Sequence, residues 1–73
     1  MKNRVELVTL KDVMDFVNAV SQVNGEVYLV DKHRQYKVSA KSQLAAMLAS
    51  AEWNEIHIES EVDCYELIKK WVK

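Results

Sequence analysis

The chain contains no proline, one glycine (Gly25) and one cysteine (Cys64) among its 73 residues. With so little glycine and no proline, its turns must rely on Asn, Asp and Ser, whose short polar side chains hydrogen-bond nearby backbone. A lone cysteine excludes an internal disulfide, so packing must hold the domain together. An excess of charge is also missing. Ten basic residues stand against eleven acidic ones, which supplies no overall field for nucleic acid or an anionic membrane. No apolar run is long enough to span a bilayer, and no charged start leads into an apolar signal core. The expectation is a cytoplasmic protein with no membrane insertion and no nucleic-acid partner.

What remains is the pattern of a single domain, 1–73, without repeat, low-complexity tract or linker. A chain of this length buries only about 60% of the surface its unfolded form exposes, so the core must be compact. Arg4-Val5-Glu6-Leu7 alternates apolar with charged, which predicts a strand with Val5 and Leu7 inward. Thr9 and Asp12 have capping-box spacing and open a helix from about Leu10 to Gln22, with Val13, Phe16, Val17 and Val20 on its inner side. Asn24-Gly25 reads as the stop of that helix. Glu26 to Val30 and Gln35 to Val38 are β-rich, and the polar Asp31 to Arg34 between them is short enough for an antiparallel hairpin.

Ser39 ends this β-rich run. After Ser42, the spacing of Leu44, Met47 and Leu48 is that of a short amphipathic helix ending near Ser50. The stretch is a strand-to-helix corner, in which Ser39 or Ser42 can cap the helix and a negative group would meet the dipole's positive end. Glu55-Ile56-His57-Ile58-Glu59 gives the cleanest period-two alternation and predicts a fourth strand. Ser60 and Asp63 form another capping-box-like pair. They precede a closing helix whose apolar stripe is Cys64, Leu67, Ile68, Trp71 and Val72, with Glu66 and Lys70 as an i,i+4 pair. The order βαββαβα predicts an α+β fold: a two-layer open-faced sandwich in which a four-stranded antiparallel sheet carries its helices on one face. A ferredoxin-like split βαβ with an added helix has compatible connectivity.

Val38-Ser39-Ala40-Lys41-Ser42 resembles the Val-Asn-Ala-Lys-Ser corner of HPr, the phosphocarrier of the bacterial phosphoenolpyruvate-dependent sugar phosphotransferase system. Phe16-Val17 in the first helix, Gly25 with the hairpin after it, Glu55-Ile56, and Glu59 to Glu61 at the entry to the last helix are similar too. The resemblance implies an open-faced sandwich, a corner serine (Ser42) open to regulatory phosphorylation, and partner-binding positions at Lys41, Ser42, Leu44 and Met47. The family's activity rests on a histidine in a Gly-Leu-His-Ala/Thr-Arg-Pro loop after the first strand. Here only Val8-Thr9-Leu10-Lys11 connects the two elements, with Thr9 near the place of the histidine and Lys11 near that of the arginine. A threonine hydroxyl stays protonated at neutral pH without a general base and cannot form the labile phosphoramidate that onward transfer needs. The resemblance therefore implies a non-catalytic, regulatory homologue that binds proteins, like the family's catabolite-repression variant, which also lacks the histidine.

The other candidate residues have plain readings beside functional ones. His33 at the hairpin tip and His57 on the open sheet face are the only imidazoles, and the alternative functions are a small carrier or enzyme using either, or an RNA-associated structural module of ferredoxin-like fold. They lack helical metal-ligand spacing, so neither a metal nor a cofactor is expected. Cys64 shares an apolar stripe and reads as a core residue, as do Phe16, Trp53 and Trp71. Lys32, His33, Arg34 and Lys37, flanked by Tyr28 and Tyr36, suggest stacking on RNA. The aromatic strand motifs of an RNA-recognition fold are missing, and a solvated hairpin is the expectation.

Overall fold

The fourth strand, Ile56–Ser60, lies inside the sheet with a partner on each side. The computed structural model describes all 73 residues. Its elements are β1 (Lys2–Val5), α1 (Leu10–Val20), β2 (Val27–Asp31), β3 (Lys37–Ser39), α2 (Gln43–Glu52), β4 (Ile56–Ser60) and α3 (Tyr65–Ile68), with a 3₁₀ turn at Lys69–Trp71. The protein is an α+β domain in which three helices pack against a four-stranded antiparallel open sheet. The sheet order, which connectivity left open, is β1-β4-β2-β3. The α1 crossover thus returns to a strand parallel to β1 with β4 inserted between them, and α2 likewise joins β3 to β4 around β2.

Register follows from side-chain alternation. Asn3, Ile58, Leu29 and Val38 stand side by side across the sheet on the helix side. Arg4, His57, Val30 and Lys37 make a row on the bare side. A slip of one residue would put isoleucines in water and glutamates in the core, so the pairing is strongly specified. Phe16, Val20, Val27, Leu29, Ile58 and Ile68 are completely buried in the core between the layers.

Several boundaries differ from those the sequence predicts. β1 begins at Lys2 and ends at Val5, yet Leu7 is still buried. Beyond Val5 the edge is taken by residues 71–73: Glu6 N–H donates to the Trp71 carbonyl and Lys73 N–H to that of Arg4. The α1 helix stops at Val20, not at Gln22, because the Ser21 hydroxyl bonds back to the Val17 carbonyl at 2.7 Å and the next two amides form turns. Gly25 is therefore not the helix stop. It leads into β2 at φ 142°, and a Cβ there would lie 2.8 Å from the Val62 side chain, so both conformation and space require glycine.

The largest difference is the closing segment. Helix α3 lasts only from Tyr65 to Ile68 before the 3₁₀ turn, and Val72 is extended, because the chain gains more by hydrogen-bonding to β1 than by continuing the helix. Leu67 consequently faces solvent, and Glu66 pairs with Lys69 rather than Lys70. The capping pair of Ser60 and Asp63 does not form: Cys64 is the N-cap, and the Ser60 hydroxyl instead donates to the Glu26 carbonyl and accepts from Val62 N–H.

Trp71 is nonetheless buried against the first helix, edge-on to Phe16 at 5.5 Å between ring centroids. Trp71→Ala removes this contact and leaves a cavity, for an expected loss of about 3 to 5 kcal/mol. A domain of this length has about 4 to 11 kcal/mol in total, so thermal denaturation followed by circular dichroism should find the variant largely unfolded or melting far below wild type. A cooperative melt within a few degrees of wild type would contradict this packing.

Candidate functional site

Two helix N-termini and the bare sheet face hold the residues singled out by sequence. At the start of α1, Thr9 is the N-cap and its hydroxyl accepts from Asp12 N–H at 3.0 Å. The Asp12 carboxylate reaches back to accept from Val8 N–H at 3.1 Å and Thr9 N–H at 3.3 Å. These bonds, that to Thr9 foremost, hold the Asp12 carboxyl below its ordinary value. The buried Trp71 indole nitrogen lacks a hydrogen-bond partner, but lies near enough to favour the Asp12 charge slightly. An anion already sits at this helix end, and it is the protein's own carboxylate. Lys11 does not point into this arrangement. It pairs with Asp15 at 2.6 Å, one turn along, and that bond raises its pKa.

At the start of α2, Ser42 is the N-cap and accepts from Ala45 N–H at 3.2 Å. Ser39 serves the preceding turn, accepting from Lys41 N–H. The Lys41 ammonium turns inward and donates to the Val23 carbonyl at 2.7 Å, tying the corner to the chain after α1. The inward face of α2 is made by Ala46 and Ala49, so the backbone approaches the core closely. The amphipathic spacing therefore runs opposite to the usual sense: Leu44, Met47 and Leu48 are 68%, 38% and 52% exposed. The corner brings Ser42 and this apolar face onto one helix, while Thr9 and Lys11 belong to the other.

The open face is dominated by charge. On β4, His57 Nε2 lies 2.7 Å from Glu55, which Arg4 also approaches at 3.5 Å. Glu59 is held by Arg34 and by Lys37 at 3.5 Å. Both glutamates are pushed below the ordinary carboxylate range, Glu55 chiefly by the His57 hydrogen bond and Glu59 chiefly by that from Arg34. The Lys37 ammonium lies over the Tyr28 ring, 4.4 Å from its centroid. His33 is exposed at the hairpin tip. Cys64 is buried, and burial raises its pKa. No group of three or more His, Cys, Asp or Glu is placed to hold a metal ion, and no helix is long and apolar enough to cross a membrane.

One arrangement here has no signal in composition. Lys2, Arg4, Lys32, Arg34 and Lys37 gather around the open face with Glu55 and Glu59, and Glu26 and Glu61 line the hollow beside Lys2, Lys37 and Tyr28, so most of the cations have a carboxylate near them. Composition hides the arrangement because Lys2 and Arg4 are distant in sequence from Lys32, Arg34 and Lys37.

Compared with known proteins, the chain matches no family model, no curated protein and no solved structure.

The Asp12 carboxylate gives a stability signature. A carboxyl whose native pKa lies below its unfolded value of 3.8 contributes stability that is fully present above that value and is lost as pH falls through the native one. Asp12→Asn should lower the melting temperature at pH 7 and flatten its decline in acid, leaving variant and wild type closest at the lowest pH. A difference between them that is independent of pH would show that the carboxylate charge plays no part in the cap.

Proposed function

We propose that this chain is a divergent HPr-like protein that does not carry phosphate on histidine and acts as a non-catalytic regulatory module, docking a protein partner through the Ser42 corner and the outer face of α2. The observation that carries the reading is the inverted α2 helix. Large side chains at Leu44, Met47 and Leu48 face solvent while alanines do the packing, so the apolar area lies where a partner can bury it. The hydroxyl of Ser42 opens the same helix, and a phosphate there would meet free first-turn N–H groups and the positive end of the dipole.

The start of α1 supports the negative half of the reading. In a phosphocarrier that helix end stabilises a phosphoryl group on imidazole; here Thr9 and Asp12 already satisfy the exposed amides, and no imidazole follows β1. Both histidines lie elsewhere, one at the hairpin tip and one beside Glu55. Lys41 holds the corner through Val23, so its role in this reading is to fix the angle at which α2 leaves the sheet. Its ammonium is not the group that meets the partner.

Two assays test the reading. Incubation with an HPr-type serine kinase and ATP should place one phosphate on Ser42, located by mass spectrometry and absent from Ser42→Ala, with little change in melting temperature. No phosphate on wild type, or equal labelling of the alanine variant, would reduce Ser42 to a helix cap. With phosphoenolpyruvate and the first enzyme of the transport system, neither His33 nor His57 should be labelled. Stoichiometric acid-labile phosphate on either would overturn the non-catalytic assignment.

A further inference from the structure

We infer that the partner of the α2 face is a second copy of this chain, packed antiparallel about a two-fold axis between Met47 and Leu48. The inference rests on the reading of that face as a docking surface and names its occupant. What sets the face apart from the other exposed apolar positions is its lack of charge. Leu10 and Met14 on α1 share their helix with the Lys11–Asp15 ion pair, whereas α2 carries one charged residue, Glu52, at its last position. Lys41, the nearest cation in sequence, is turned inward to Val23. Without a cationic flank the helix has no purchase on an anionic membrane, and a charged protein segment finds no counter-charge there. A two-fold interface sets one patch against itself, so charges on it would confront their like. An uncharged patch meets no such penalty.

The order of side chains along α2 fits this arrangement. Antiparallel pairing about the axis places Leu44 of each copy over Ala51 of the other, large against small at both ends, while Met47 meets Met47 and Leu48 meets Leu48 in the middle. All four positions face solvent in the single chain. Along one flank Gln43 comes opposite Ser50, whose hydroxyl donates to the Met47 carbonyl and keeps its lone pairs free to accept from an amide. Along the other flank Glu52 comes opposite Ala45, so its carboxylate stays at the rim in water, and the two glutamates stand at opposite ends of the pair. A parallel pairing would set Glu52 beside Glu52, Leu44 on Leu44 and Ala51 on Ala51.

Size fixes the strength. Helix α2 has ten residues and is about 15 Å long. A single helix of that length cannot bury the roughly 800 Å² per partner of a stable complex. The pair is therefore weak and set by concentration, with a Kd on the order of 100 µM.

Sedimentation equilibrium of the full chain from about 10 µM to 1 mM tests the proposal. The average mass should rise from 8.5 kDa toward twice that value, and equally at 50 and 500 mM salt, because no ion pair holds the interface. Leu44→Glu should weaken association by at least about ten-fold with a melting temperature within a few degrees of wild type, since this side chain is exposed. Leu67→Glu, at an exposed apolar position of α3, should change nothing. On oxidation Met47→Cys should form a disulfide-linked dimer, the one native thiol, Cys64, being buried. Gln43→Cys should not, because antiparallel pairing sets its two copies about 13 Å apart along the axis, beyond the reach of a disulfide. A chain still monomeric at 1 mM overturns the proposal, as does a dimer that Leu44→Glu leaves intact, that salt dissolves, or that Gln43→Cys cross-links as readily. The kinase assay on Ser42 reads separately: a monomer that takes the phosphate removes the second copy and keeps the regulatory reading, and a dimer that takes none does the reverse.

Discussion

The two-sidedness of β4 is the constraint on which the rest of the molecule depends. Ile56 and Ile58 point into the core, while His57 and Glu59 point away from it. The strand is hydrogen-bonded on both edges, to β1 and β2, so its register fixes theirs. Once that register is set, α1 must leave room for β4 when it carries the chain from β1 to β2. The helices are then confined to the isoleucine side, where Phe16, Val20 and Ile68 meet them. Every feature on the bare face follows as the other half of the same alternation. Val30 shows this: it is only 2% exposed yet lies outside the main core, in register with His57 and Lys37, covered by the side chains of the open face.

How much of this was legible in the sequence varied with the strength of the local signal. The alternation around Ile56 and the capping box of Thr9 and Asp12 are short-range and strong, and the structure follows both. The hairpin between β2 and β3 was readable because Asp31 accepts from Tyr36 N–H across a polar turn, a bond local in sequence. The closing helix was misjudged because periodicity records which residues are apolar and not which backbone partner wins. There, Trp71 and Lys73 pair with β1 at the expense of the last helical turn. Alanine gives almost no amphipathic signal, so a helix packed through Ala46 and Ala49 does not show which way Leu44 and Met47 face. Ser42 and its exposed hydroxyl were readable from the corner, whereas the inward turn of Lys41 depends on Val23, a contact distant in sequence.

Two unlike surfaces follow from this division. On the helix side, close backbone approach through alanine leaves large apolar side chains of α2 without a partner in the fold. The anion-favouring end of α1 is meanwhile filled by Asp12. On the sheet side, cations from β1, the hairpin and β3 converge because antiparallel pairing brings distant segments side by side, and Glu55 and Glu59 pair with them. The bare edge at β3 is only three residues long, which limits unwanted pairing with other chains.

Native-state amide hydrogen exchange across a denaturant series measures the position of β4 directly. If this strand is the centre on which both layers depend, the amides of His57, Ile58 and Glu59 exchange only through complete unfolding. Their exchange free energies should then equal the global value from equilibrium denaturation, with those of the short edge strand β3 lower. Exchange of β4 through a smaller opening, while β2 and β3 stay protected, would contradict the account.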